Sequence, residues 1–250
     1  MLKRTEGIVL KSSAFGEADL IVSYLTPDYG PLKAFAKSPR KVKSRFGSSL
    51  EPLTHARISL FGREESNLPR LTQSDIIRPF HALREDFKCL LDISELLELN
   101  LAFLPEKEPT PELFSLLLSV LVKLEADRGN RLYPLYYKMR FLEITGYSPK
   151  LDACGRCGSR TETEHHDFYV SHGSIICPGC IDERDESIRL SSGALKFYRS
   201  LLKWNPASID RIKPPGHLMA EIAGVINSHV KYTLGAPRYP FKKYAVSRKQ

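Results

Sequence analysis

Four cysteines stand in two close pairs, Cys154-Gly-Arg-Cys157 and Cys177-Pro-Gly-Cys180, with the spacing C-x2-C-x19-C-x2-C. A pair separated by two residues can bend into a knuckle that turns both thiolates toward one point, and the glycines allow the tight turns this needs. Two such knuckles at this separation match a four-thiolate tetrahedral zinc site. The pattern therefore requires the chain over roughly 150–185 to fold around one ion, and it splits the sequence into a part before and a part after. Four thiolates leave no open coordination position, so the expected ion, one Zn2+, is structural and takes no part in a reaction.

The remaining cysteine usage agrees. Four of five cysteines in close pairs suit metal ligation in a reducing compartment better than a disulfide framework. Cys89 lies in the helical run Phe87-Lys88-Cys89-Leu90-Leu91, where no His, Lys or Arg pattern suggests an activated thiolate, so a small buried hydrophobe is expected. The longest apolar run, Leu113 to Val122, has ten residues including two serines. A membrane span needs roughly 18. Met1-Leu-Lys-Arg-Thr-Glu-Gly7 leads straight into strand-like sequence with no apolar signal-peptide stretch, and a cytoplasmic protein without a membrane partner is expected.

At 250 residues and 42% hydrophobic, the chain can bury a real core in one large domain or in two to three small ones. Its net charge of +8 is unevenly placed. Residues 1–80 carry 13 Lys and Arg against 8 Asp and Glu, residues 81–185 carry 12 against 18, and residues 186–250 carry 12 against 3. Two basic ends thus flank an acidic middle. Basic ends can be merely solubilising, but two of them on a chain of pI near 9.2 make nucleic acid the leading partner.

The pattern of periodicity divides the chain near residue 80. Before it, Glu6–Lys11, Leu20–Leu25, Pro31–Lys37, Ala56–Phe61 and Leu71–Arg78 read as five short strands, with a turn at Thr26-Pro-Asp-Tyr-Gly30. In the third, Leu32, Ala34 and Ala36 share one face and Lys33, Phe35 and Lys37 the other. Five short strands and one long basic loop fit a small barrel of the OB-fold type over 1–80. From His81 onward the period is helical, with Leu83, Phe87, Leu90, Leu91, Ile93, Leu96, Leu97 and Leu99 at three- and four-residue steps. Further helices are expected from Pro111 to about Arg128 and from Pro134 to Thr145, ending at Gly146. Beyond the cysteine module, basic C-terminal helices are expected over about 190–232, one capped by Ser191 or Ser192 and running to Lys203. The fold class is α+β: an OB-fold barrel, then a helical domain over 81–250 that carries the zinc module.

Two basic elements are candidate DNA-binding surfaces. The loop Lys37-Ser-Pro-Arg40-Lys41-Val-Lys43-Ser-Arg45-Phe46-Gly47 holds five cations that can neutralise phosphates, and Phe46 could stack on an unpaired base. The plain alternative is a solvated charged loop. The helix after the cysteines places Lys196, Arg199 and Lys203 on one face, opposite Leu195, Tyr198, Leu201 and Leu202. Such a stripe is the default for a surface helix, but no acidic residue balances it between Ser187 and Asn205. The tail pairs Lys242-Lys243 and Arg248-Lys249 are expected to fray.

No catalytic constellation emerges. His165, His166, Asp167 and His172 lie between the cysteine pairs and could replace a ligand or form a catalytic metal site, but four cysteines already complete a tetrahedron. The H-x-E and P-C-x-x-C signature of a zinc deaminase is missing, as are Walker A, G-x-S-x-G, G-x-G-x-x-G and H-E-x-x-H. A metal-dependent nuclease using those histidines and a zinc-ribbon DNA-binding regulator are the alternatives to a non-enzymatic DNA-binding protein.

In its order of parts the chain resembles the bacterial RecO family over nearly its full length. The resemblance rests on Glu6-Gly-Ile-Val-Leu-Lys11, Gly16-Glu-Ala-Asp19, Thr26-Pro-Asp-Tyr-Gly30, Ala36-Lys37 through Lys43-Ser44-Arg45, Leu50-Glu-Pro-Leu53, Tyr137 to Gly146 and the cysteine pairs. It implies a recombination mediator in DNA repair, without catalytic turnover and nucleoid-associated during repair. Such a protein binds single- and double-stranded DNA and anneals complementary strands. It works with RecR and the single-stranded-DNA-binding protein SSB, and helps load RecA onto SSB-coated DNA. The DNA role then falls on Lys37, Arg40, Lys41, Lys43 and Arg45, and the zinc role on Cys154, Cys157, Cys177 and Cys180. One departure is Ser38-Pro39, where the family pattern leads one to expect a glycine after the lysine.

Overall fold

Alternation of apolar and polar residues becomes two-sided strands, as in Gly30–Ala36 (β3), where Leu32, Ala34 and Ala36 are buried and Lys33 is exposed. The other strands of this sheet are Leu2–Phe15 (β1), Asp19–Thr26 (β2), His55–Phe61 (β4) and Arg70–Arg78 (β5). The structure, a computed structural model, describes residues 1–40, 44–63, 66–160, 163–181 and 186–234. The five strands close into an OB-like barrel in the order β1-β2-β3-β5-β4. All neighbours are antiparallel except β3 and β5, which pair in parallel at Phe35↔Arg70 and Ala36↔Leu71. β1 is longer than its apolar segment suggests. Leu2–Ile8 pairs with β4, Ile8–Phe15 pairs with β2, and an irregularity between Val9 and Lys11 lets the strand bend from one to the other.

Inward residues of every strand fill the barrel, among them Val9, Val22, Tyr24, Leu32, Ile58, Leu60 and Leu71. The β2–β3 turn is held by Thr26, whose hydroxyl donates to the Gly30 carbonyl at 2.9 Å and accepts the Tyr29 N–H at 3.1 Å. Gly30 has φ +60°, and a Cβ there would fall 1.7 Å from the Glu108 carbonyl oxygen, so only glycine fits.

The expected single helical run after residue 80 is two helices, His81–Glu85 (α1) and Phe87–Phe103 (α2). Asp86 separates them: it has an extended backbone, and its carboxylate accepts the Lys88 and Cys89 N–H groups at 3.0 Å each as an N-cap. Phe87, assigned by periodicity to the apolar stripe, is consequently 73% exposed. Cys89 is buried, and desolvation pushes its thiol up to about 11. Helices Pro111–Ala126 (α3) and Leu132–Ile144 (α4) follow, and the second closes on Gly146 at φ +78°. Asn100 and Tyr137, both fully buried, bond to one another between α2 and α4, with the hydroxyl 2.9 Å from Asn100 Oδ1.

Compactness divides the chain differently from periodicity. Met1–Gly146 and Asn205–Arg211 form one unit, so the barrel and α1–α4 belong together. Arg84 fixes this arrangement by donating to the Pro52 carbonyl at 2.7 Å and to Glu51 at 2.8 Å, as does Arg78 by pairing with Glu125 at 2.6 Å. The short 3-10 segment Pro206–Arg211 adds Asp210, which accepts from Tyr133 at 2.8 Å and pairs with Lys123.

The second unit comprises Tyr147–Trp204 and the described part of Ile212–Gln250. Beyond the expected helices Ser192–Lys203 (α5) and Gly216–Thr233 (α6), it contains a three-stranded antiparallel sheet. Its strands are His165–Tyr169 (β6), Ser174–Ile175 (β7) and Ser187–Ser191 (β8), in the order β7-β6-β8. Ser191 caps α5 by accepting the Ala194 N–H at 3.1 Å. Leu190, Leu195, Tyr198, Leu201, Ile222, Val225 and Ile226 are among the buried residues of this unit. No helix among the described residues is long and apolar enough to cross a membrane.

Candidate metal centre and nucleic-acid interface

Both cysteine pairs form the knuckles that their spacing predicts. Gly158 N–H donates to the Cys154 carbonyl and Cys180 N–H to the Cys177 carbonyl, each at 2.9 Å, closing the two turns. Gly155 is required in the first, because a Cβ there would lie 2.1 Å from Ser174 Oγ. Arg156 joins the knuckles by donating to the Cys180 carbonyl at 2.8 Å. The four Sγ atoms all lie within 4.8 Å of one another. Cys157 and Cys177 Sγ are 3.7 Å apart, close to the edge of about 3.8 Å for a tetrahedron with metal–sulfur bonds of about 2.3 Å.

The protonation chemistry suits a cation as well. Backbone N–H groups of Cys157 and Cys177 hold the Cys154 thiol down to about 6, and Ser159 lowers that of Cys157. Cys180 is pushed up to about 12 by the sulfurs of Cys177 and Cys157 crowding it. Four thiolates cannot share this volume by themselves, and a divalent cation at the centre removes their repulsion. The donor set and its spacing fit a tetrahedral thiophilic ion such as zinc.

The histidines between the pairs are elsewhere. His165 and His166 lie on β6 opposite Ser191 and Leu190, and His172 is in a 3-10 turn. His166 is buried with Nε2 3.3 Å from Ser192 Oγ, and desolvation, aided by Arg199, holds its imidazole below the ordinary value. Among the described residues, the four cysteines form the group in which three or more His, Cys, Asp or Glu ligand atoms gather as a metal site.

The basic loop leaves the end of β3 with Lys37 and Arg40 exposed. Ser38 has φ +57°, the left-handed backbone for which glycine is the usual residue. Its N–H donates to Asp19 Oδ1 at 2.6 Å, and Arg40 N–H donates to the Ala18 carbonyl at 3.3 Å. A side-chain carboxylate thus holds a turn whose backbone conformation glycine usually supplies. Lys41 and Lys43 lie outside the described residues, as do the tail pairs Lys242-Lys243 and Arg248-Lys249. Arg45 is exposed with its guanidinium 4.9 Å from the centre of the Phe46 ring. Phe46 itself is 4% exposed and belongs to the barrel core, which removes it as a base-stacking residue.

Outward-facing aromatics lie instead on the strands. Register places Phe35 of β3 beside Arg70 of β5, Arg70 beside Phe61 of β4, and Phe61 beside Leu2 of β1. Phe15, at the end of β1, meets Phe35 edge-on with ring centres 5.8 Å apart. The alternation in β3 already set Phe35 on the outer face with Lys33 and Lys37. Sequence alone gave no sign that Phe61 and Arg70 would join it, because that depends on the pairing of β3, β5 and β4.

On α5 Leu195, Tyr198 and Leu201 are buried, Leu202 is half-buried, and Lys196, Arg199 and Lys203 are exposed. A distant acid compensates one of these three cations. Arg199 Nε donates to Asp152 Oδ1 at 2.8 Å, and its guanidinium also donates to the Leu151 carbonyl at 3.2 Å. Lys196 and Lys203 have no acidic partner among the described residues.

Comparison with known proteins adds identity to this geometry. Residues 1–80 match the family model for the recombination protein O N-terminal region, and residues 84–240 match that for its C-terminal region. The chain is 44% identical over 236 residues to the DNA repair protein RecO of Thermodesulfovibrio yellowstonii, covering 92% of this chain and 93% of that one. It is 32% identical over 230 residues to the protein of that name from Myxococcus xanthus, covering 92% and 91%. With that from Symbiobacterium thermophilum it shares 31% over 232 residues, again covering 92% and 91%. Barrel, helices and cysteine module thus all fall within one matched span, and the chain belongs to the RecO family of DNA repair proteins.

Proposed function

We propose that this protein is a non-catalytic recombination mediator. It binds single- and double-stranded DNA, anneals complementary strands and, together with RecR, helps load RecA onto strands coated with SSB. The observation that carries the reading is the exposed basic segment after β3 of an OB-like barrel, pinned through Ser38 and Arg40 to the β1–β2 turn. A loop anchored in this way presents Lys37 and Arg40 at fixed positions, so less ordering entropy opposes contact with phosphates. Lys41, Lys43 and Arg45 extend the same cationic run. Lys196, Arg199 and Lys203 provide a second basic surface, with Arg199 partly neutralised by Asp152.

In this reading Cys154, Cys157, Cys177 and Cys180 hold one zinc ion. Such an ion would clamp the second unit and supply no reacting site, because four thiolates fill its coordination sphere. The role of this unit is then to present α5 and its cations on a folded scaffold.

The test is annealing of complementary SSB-coated strands by the purified protein, with zinc measured on the same sample. Accelerated annealing of intact strands is expected, with one zinc per chain. Cleavage of labelled single strands in magnesium or manganese would replace the mediator by a nuclease, and marked sequence preference on duplex DNA would favour a zinc-ribbon regulator.

A further inference from the structure

We propose that Phe15, Phe35 and Phe61, with Arg70 set between the last two, form a stacking platform for unpaired bases on the outer face of the barrel. The inference rests on the DNA-binding reading and adds to it the part of the surface that would distinguish single strands from duplex.

Outer positions of a small barrel face water, so phenylalanine there is out of keeping with the burial that organises the rest of the strand pattern. Phe61 is 58% exposed and Phe15 51%, although the residues next to Phe61 and Phe35 in sequence, Leu60 and Ala36, are fully or nearly fully buried. The register makes these residues neighbours. Phe35, Arg70 and Phe61 occupy one cross-strand row over β3, β5 and β4, with adjacent members about 5 Å apart at the backbone. Phe15 extends the row past Phe35 through their edge-on contact.

Charge decides between occupants. A surface built for an apolar protein partner has charge depleted at its centre. Here a guanidinium stands in the middle of the row, and Lys37 leaves the same edge of β3 that carries Phe35. Aromatic rings interleaved with cations match a chain of π-faced bases joined by phosphates. Arg40 is tied by its backbone to Ala18, in the turn that immediately follows Phe15. Cationic segment and aromatic row are therefore parts of one anchored edge. Duplex DNA keeps its bases stacked inside, so it can use the cations but not the rings.

The experiment compares a labelled oligothymidine with an abasic strand of equal length, which carries the same phosphates without bases. The wild-type protein should bind the base-bearing strand more tightly. Phe35→Ala/Phe61→Ala should lower that affinity by at least about fivefold per ring, leaving abasic-strand affinity and the salt slope unchanged. Both side chains lie on the outer face, and the melting temperature of the variant should match wild type. Phe61→Trp gives an independent readout: it should keep the affinity, and its indole emission should be quenched by oligothymidine but not by the abasic strand. Equal discrimination by wild type and double variant, or no quenching, overturns the platform while the DNA reading stands. Binding of neither strand by the wild type overturns both.

Discussion

Replacing Lys37 and Arg40 together by glutamine separates specific phosphate contact from a merely charged surface. Both side chains are exposed, and neither pairs with an acid among the described residues. The double substitution should therefore leave the melting temperature nearly unchanged, since surface changes of this kind cost about 0.5 kcal/mol or less. What changes is counterion release. Each phosphate contact on a single strand contributes about 0.7 to the slope of log affinity against log salt, so two lost contacts flatten it by about 1.4. Between 50 and 200 mM salt, a slope difference of about 1.4 becomes a factor of about seven. The deficit of the variant against wild type should thus be about sevenfold larger at the lower salt. Anisotropy titrations of a labelled oligothymidine over that range measure it directly. Equal deficits at both salt concentrations would refute the reasoning, because they would mean that the side chains shape the loop without touching phosphates. Arg199→Gln is the comparison. Its guanidinium is engaged with Asp152 and the Leu151 carbonyl, so it should change the slope less than Lys196→Gln on the same helix.

Three further outcomes are expected. Removing the metal with a chelator, or substituting Cys154→Ser/Cys157→Ser, should make the second unit sensitive to protease while the barrel and α1–α4 stay protected; bound zinc and digestion patterns on one sample check this, and a variant that keeps its zinc and resists digestion would contradict it. Tyr137→Phe removes the hydroxyl that Asn100 meets in a fully buried site and should cost the first unit about 1–3 kcal/mol in denaturant melts, because a buried amide loses a partner. His55 is 5% exposed, and burial lowers its imidazole below the ordinary value of 6.5 although Glu6 lies 2.9 Å away. The unfolded chain then takes up the proton more readily than the folded one, so this contribution is complete above about 6.5 and is lost as pH falls below it. Melting temperature should drop between pH 7.5 and 5.5, and His55→Gln should shrink the drop.

What was legible in the sequence follows from the range over which its signals act. The cysteine knuckles depend on residues two apart with glycine beside them, and both formed. Ser191 caps its helix by a bond three residues away, and the alternation in β3 places Leu32, Ala34 and Ala36 on the buried face and Lys33 on the exposed one. The helix start at Asp86 was local too, yet it was hidden. The leucine-rich period ran straight through it, and only the extended backbone of a carboxylate cap shows where the first helix stops.

The features that escaped all depend on residues far apart in sequence. Asp152 reaches Arg199 across 47 positions, so one of the three cations that read as unbalanced in their own segment is compensated. The aromatic assignment failed for the same reason. Phe46 stands among five cations in the sequence, and proximity along the chain made it the natural stacking residue. Yet Phe46, 4% exposed, packs into the barrel core together with Leu50, so its ring is spent on the interior. Phe35, Arg70 and Phe61 are scattered over 36 positions and become a row only when β3 pairs in parallel with β5. That pairing also closes the barrel. The step that completes the apolar interior thus also assembles the outer aromatic face, so a barrel substitution that shifts the β3–β5 register by one residue should disperse this face along with the core.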